Sequence, residues 1–316
     1  MVQIEFEISL EYEVTDPAGA DFVFNVHAAA TSHQTIAAEH LSLSQDVVPE
    51  VATDPVTASR FMRLHANPGS LQLRYQATVT IEHHLAEPDT LAEVPVRCLP
   101  LEVMPYVYPS RYCQSDRLIK LALNEFGGLW PGYSRVLAIQ HWVQQRVTFA
   151  SNTSDSTTSA LDTIVDRVGV CRDFTHLMIA LCRALNIPAR IATGTDFGAD
   201  PARGAPDLHA YAEVYLGDRW YLFDASGTGI PMGFVRIGTG RDAADVAFAT
   251  VFGAVRSKAP LVRATAVTPP GFELPHHRRE ALSTTPPFPG TDSACAKFDV
   301  HATRHPATLP IKQLPN

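Results

Sequence analysis

Apolar and polar residues alternate from the start of the chain, Val2-Gln3-Ile4-Glu5-Phe6-Glu7-Ile8-Ser9-Leu10, which is the period of a half-buried strand. The run through Leu71, Leu73, Tyr75, Ala77, Val79 and Ile81 repeats it, and a shorter apolar stretch covers Phe22 to Ala28. Asp16-Pro17-Ala18-Gly19 and Asn67-Pro68-Gly69 supply turn chemistry between these segments. Residues 1–110 are therefore expected to form an all-β, sandwich-like domain. Its exit, Pro95 to Pro109, reads as an extended linker laid over a neighbour.

The period changes near Ser115-Asp116, where a capping residue precedes Leu118, Ile119, Leu121, Ala122 and Leu123. Further helices are expected over about 134–145 and 158–168. Another begins at Cys171, with Phe174, Leu177, Met178, Leu181, Cys182 and Leu185 at i, i+3, i+4, i+7 spacing, and stops at Asn186 before Pro188. Strands return at 189–193, 209–216 and 220–224. Helices followed by an antiparallel sheet make residues 111–258 an α+β domain. Residues 259–316 turn to Pro, Thr, Ser and His with little periodicity, and a poorly ordered C-terminal tail is expected there.

Composition narrows the function. With 25 basic against 33 acidic residues and a net charge of -8, no phosphate-binding surface is indicated, so nucleic acid is not an expected partner. No apolar run approaches the roughly 20 residues that cross a bilayer, and the first residues read as a strand and not a secretion signal. Five scattered cysteines, Cys98, Cys113, Cys171, Cys182 and Cys295, show no disulfide-scaffold spacing, which suggests a reducing cytoplasm. Cys182, on the apolar helix face, is expected to be a small buried hydrophobe. The glycine-rich segment Ile237 to Asp242 lacks a phosphate-loop spacing, and the histidines form no metal-ligand pattern.

Cys171 is the candidate for chemistry. At the amino end of a buried helix, unpaired backbone N–H groups and the macrodipole favour a thiolate over a thiol. The Cys171 amide can donate to an oxyanion, and Gly169 is expected to allow a tight turn. Downstream, Gly217-Asp218 reads as a two-residue hairpin turn that pairs Leu216 with Arg219. Counting outward puts Tyr211 opposite Asp224 and His209 opposite Ser226, with all four on one face. Asp224 is then a diagonal neighbour of His209 at roughly 7–8 Å, near enough for its carboxylate to orient the ring.

The blocks Gly169-Val170-Cys171-Arg172-Asp173-Phe174, His209-Ala210-Tyr211-Ala212-Glu213-Val214-Tyr215 and Trp220-Tyr221-Leu222-Phe223-Asp224, with the three reactive positions spaced 38 and then 15 residues apart, resemble the core of bacterial transglutaminase-like proteins. Many of those are described as candidate cysteine proteases. The resemblance covers about residues 110–255, and the β-rich region resembles the domain that precedes this core. It implies a papain-like fold, helices packed on an antiparallel sheet, with Cys171 as nucleophile, His209 as base and Asp224 as orienting acid, and neither cofactor nor metal. Tyr211 stands where relatives commonly carry Trp, and Ala225-Ser226 where many have Pro-Thr. Asp173, His176, Tyr211 and Ser226 are expected to brace the helix start or line the cleft.

The expected activity is cysteine-dependent acyl transfer on amide bonds of a peptide or protein substrate, with peptide hydrolysis first. Transfer of the acyl group to an amine uses the same residues. A non-catalytic binding module is the competing class.

Overall fold

The computed structural model describes residues 1–198 and 208–288. The opening alternation becomes β1 (Val2–Val14), followed by β2 (Ala20–Phe24), β3 (Gln34–Leu43), β4 (Glu50–Thr53), β5 (Arg60–Ala66) and β6 (Gly69–Ile81). β1 and β6 pair antiparallel from Val2–Ile81 to Val14–Gly69, so their two apolar alternations share one face. Val2, Ile4, Phe6, Ile8 and Leu10 are buried on it. β3 lies on the other side of β6, while β2, β5 and β4 make a second sheet that closes over the same apolar cluster. β7 (His84–Ala86) and three short 3-10 turns lead out of this region.

Next come α1 (Ile119–Phe126), α2 (Tyr133–Arg146), β8 (Thr148–Phe149), α3 (Ala160–Asp166), β9 (Val168–Gly169) and α4 (Cys171–Ala184). The expected helix start at Ser115 is a 3-10 turn, Ser115–Arg117, ahead of α1. β8 and β9 form a two-residue parallel pair. Then β10 (Ala189–Asp196), β11 (Leu208–Leu216), β12 (Arg219–Phe223) and β13 (Phe234–Gly240) build an antiparallel sheet in the order β12-β11-β10-β13. α4 is buried from Asp173 to Ala184 because both of its sides are covered. α1, α2 and α3 pack on it, and the sheet lies beneath.

The two faces of that sheet have different partners. Ala210, Ala212, Val214 and Leu216 of β11 join the helical core. Tyr211, with Ala192, Leu222 and Phe234, joins the apolar cluster of the β-rich region. The seam is also polar: Gln34 donates to the Arg236 carbonyl at 2.8 Å and accepts the Arg236 amide at 2.8 Å.

Residues 249–257, the end of the expected α+β domain, pair instead with strands of the β-rich region, and residues 261–283 form strands where a poorly ordered tail was expected. β14 (Ala249–Phe252) pairs with β2, whereas β15 (Val255–Ser257) and β16 (Leu261–Val267) both pair with β1. β17 (Ala281–Ser283) pairs with β7. The physical reason is the second edge of β1, a row of backbone donors and acceptors that would otherwise stay unpaired. Thr284 and Thr285 are buried and bond to Arg236 and to the Trp220 amide. The rest of the expected tail, 289–316, lies outside the described residues.

Candidate active site

Cys171 is the first residue of α4, where the early N–H groups have no partner inside the helix. The chain enters from Val170 in extended conformation, φ -108 and ψ 177. Asp173, three residues on, turns back and accepts the Val170 amide at 2.8 Å, half of a capping box. Asp173 is fully buried, and Arg172 faces it at 3.4 Å. Gly169 serves this entry differently from the expected turn. Its φ is not positive, but an added Cβ would lie 2.7 Å from that of Asp173, so glycine is needed for close approach.

Two contacts set α4 against β11. The Thr175 hydroxyl donates to the Ala210 carbonyl at 3.0 Å, and one turn earlier Cys171 Sγ lies 3.9 Å from the Leu208 carbonyl. The half-buried sulfur therefore meets β11 at the level of His209, near enough to act on the charge of its ring.

The hairpin has the expected register, Leu216 with Arg219 through Ala212 with Phe223. Gly217 sits at φ 60, the left-handed conformation demanded at the first turn position. The ladder stops at Phe223, so the expected pairings of Tyr211 with Asp224 and of His209 with Ser226 do not form. Instead the chain curls around the Asp224 carboxylate. Oδ1 accepts the Ser226 amide at 3.1 Å and its hydroxyl at 2.8 Å, and Oδ2 accepts the Gly229 amide at 2.7 Å. Ser226 thus clamps Asp224, with Thr228 Oγ1 2.8 Å beyond. Gln144 of α2 donates to the Asp224 carbonyl at 3.0 Å.

Asp224 Oδ1 lies 3.5 Å from His209 Nε2. This is an ion-pair separation, and Nε2 has no aligned hydrogen-bond partner among the described residues. Burial alone would lower the His209 pKa, but the Cys171 sulfur and the Asp224 carboxylate outweigh it and hold the ring well above its usual value. Burial likewise opposes ionisation of Asp224, and the His209 contact outweighs that, leaving the carboxyl below its usual range. Each charge makes the next affordable in a dry site.

The remaining expected residues fall elsewhere. His176 is buried against Tyr112, rings stacked at 5.1 Å, and its Nε2 accepts the Ala243 amide at 3.1 Å. Burial lowers its pKa to about 3, so it is a neutral core residue. Tyr211 packs edge-on to His209 at 4.7 Å, and its hydroxyl donates to Asp196. Asp196, the last residue of β10, escaped the sequence reading. The only signal for it was its place at a strand end one β-strand from His209.

Cys182 is fully buried, as expected, and burial raises its thiol pKa. Cys113, Cys171 and Cys182 are free thiols, whereas Cys98 is disulfide-bonded. A reducing compartment accordingly no longer follows from the cysteines. No helix among the described residues is long and apolar enough to cross a membrane.

Residues 122–225 match the family described as the transglutaminase-like superfamily, and residues 2–102 match the bacterial transglutaminase N-terminal domain. A solved structure from Cytophaga hutchinsonii, named "a Putative Cysteine Protease", is 40% identical, with 89% of this chain and 97% of that one covered and a TM-score of 0.82. An uncharacterized protein of Mycobacterium leprae is 29% identical over 119 residues, 35% of this chain, and the match spans only 42% of that protein.

Proposed function

The chain belongs to the transglutaminase-like superfamily, and from that membership we propose that it is a cysteine-dependent enzyme that opens amide bonds of peptides or proteins through a thioester. The observation that carries this reading is the imidazole of His209 held between the Cys171 sulfur and the Asp224 carboxylate, with its pKa raised. A cationic ring beside a cysteine favours the thiolate form that attacks a carbonyl.

In the first step the Cys171 thiolate attacks the amide carbonyl carbon. The oxyanion accepts a hydrogen bond from the Cys171 amide at the positive end of α4. Collapse breaks the C–N bond, and the imidazolium gives its proton to the leaving amine. In the second step His209 removes a proton from water, the hydroxide adds to the thioester, and the carboxylic acid departs as the thiolate is restored. Asp224 keeps the ring oriented through both steps and remains ionised. The steps use Cys171, His209, Asp224 and the Cys171 amide together with a water molecule, and a peptide or protein is the partner they require.

Hydrolysis is preferred over transfer to an amine because the Cytophaga protein, alike over nearly its whole length, carries a protease name. The test is mass spectrometry of a peptide library incubated with the protein, with and without a primary amine, beside a Cys171→Ala control. Cleaved peptides without amine adducts, absent from the control, are expected. Amine adducts without cleavage would identify a transferase. No change to any peptide, together with a Cys171 no more reactive than Cys113, would leave only a binding role.

A further inference from the structure

A second carboxylate stands behind His209. Gly194 of β10 pairs with His209 of β11, and Ala192 with Tyr211. Cross-strand partners share a face and residues two apart share it too, so Asp196 projects to the side of His209 and Tyr211. Asp196 is buried, at 3% exposure. Its Oδ1 accepts the Gly198 amide at 2.6 Å, and its Oδ2 accepts the Tyr211 hydroxyl.

Gly229 marks where these groups converge. A Cβ there would lie 2.4 Å from the Tyr211 hydroxyl, 2.5 Å from Asp196 Oδ2 and 3.3 Å from His209 Nε2. One missing methyl group thus leaves the space in which two carboxylates and a phenol approach the same ring nitrogen, while the Gly229 amide fastens Asp224. The titratable groups facing Asp196 are Tyr211 and His209 from β11, Asp224 from the loop after β12 and, beyond the ring, Cys171 at the tip of α4. Phe234 of β13 supplies an apolar wall against Tyr211, ring to ring at 4.6 Å.

We propose that Asp196, held by Tyr211, is a positioning residue for this site: ionised, it supplies a second negative charge that keeps His209 an imidazolium opposite the Cys171 thiolate, and its protonation on acidification loosens that pair. The proposal rests on the reading of Cys171 and His209 as nucleophile and base. Burial raises the Asp196 carboxyl to about 6, against the pull of His209 and of the Tyr211 bond. Burial and the neighbouring Asp196 keep the Tyr211 phenol protonated as its donor. The site therefore holds one carboxylate that stays ionised through mild acid, Asp224, and one that does not. An acid-side switch follows, absent from a site with a single carboxylate.

The experiment is the rate of Cys171 alkylation by iodoacetamide across pH 4 to 9, in which sulfur displaces iodide and the adduct is located by mass. It uses the full chain as wild type, Asp196→Asn and Tyr211→Phe. Wild type should show a step near pH 6. In Asp196→Asn the step disappears and the reaction at pH 7, where wild-type Asp196 is ionised, is slower by roughly three- to tenfold. Tyr211→Phe, which removes a donor to the ionised carboxylate, should move the step to higher pH. A wild-type profile in either variant overturns the proposal, and Tyr211→Phe alone decides if Asp196→Asn fails to fold. A wild-type Cys171 that reacts no faster than Cys113 would instead overturn the enzymatic reading itself.

Discussion

Asp196 carries a charge in a place that costs the fold stability, and the sign of that cost can be worked out. Its carboxyl is raised from 3.8 to about 6 in the folded protein, so on raising the pH the unfolded chain loses this proton first. Between about pH 4 and 6 the folded state binds more protons, and stability falls as pH rises through that window. A gap of about two units corresponds to roughly 3 kcal/mol at most. Asparagine has no proton to lose. The stability of Asp196→Asn relative to wild type is therefore expected to increase by about 2–3 kcal/mol between pH 3.5 and pH 7.5, by urea unfolding at both. An unchanged difference would mean that the carboxyl titrates normally in the fold. His209 works in the same direction at higher pH: its raised pKa stabilises the fold below about pH 6.5, and that contribution fades as pH rises through the folded value.

At the scale of elements, the site depends on the docking of one helix end on one strand. α4 presents Cys171 and Thr175 one turn apart to β11, and the Thr175–Ala210 hydrogen bond sets the height at which the sulfur meets His209. Thr175→Val keeps the shape and removes the donor, leaving a buried carbonyl with one bond fewer. A loss of about 1 kcal/mol is expected. Alkylation of Cys171 at pH 6 should slow at the same time, because the sulfur is no longer held in register. Loss of stability with unchanged alkylation would show that other contacts set the register. The hairpin contributes differently. Its turn and register place His209, but the ladder ends before Asp224, and the carboxylate is aimed by the Ser226 and Gly229 amides of the following loop.

At the scale of the whole molecule, the β-rich region and the sheet β12-β11-β10-β13 share a core. Tyr211 and Phe234 belong to the same apolar cluster as Val2, Ile4 and Tyr75, and Gln34 bridges the seam to Arg236 by two hydrogen bonds. Unfolding should therefore be a single transition in calorimetry. Gln34→Ala, which leaves backbone groups of Arg236 short of partners, is expected to lower that transition by about 1–3 kcal/mol without splitting it. Two separate transitions would mean that the β-rich region folds on its own. What the sequence determined alone is whatever depends on local period and spacing: the alternation of β1 and β6, the amphipathic helix from Cys171, and the hairpin that carries His209. β3 was illegible because most of its residues are exposed and show no apolar alternation. β16 was hidden by its small inward residues, Ala264 and Ala266, in a proline-rich stretch. Tertiary structure alone decided that residues 261–267 return to cover the edge of β1, that Ser226 holds Asp224 and does not face His209, and that Asp196 lies behind the ring. Those outcomes depend on segments far apart in the chain competing for the same unpaired backbone groups and the same buried space, which no local pattern records.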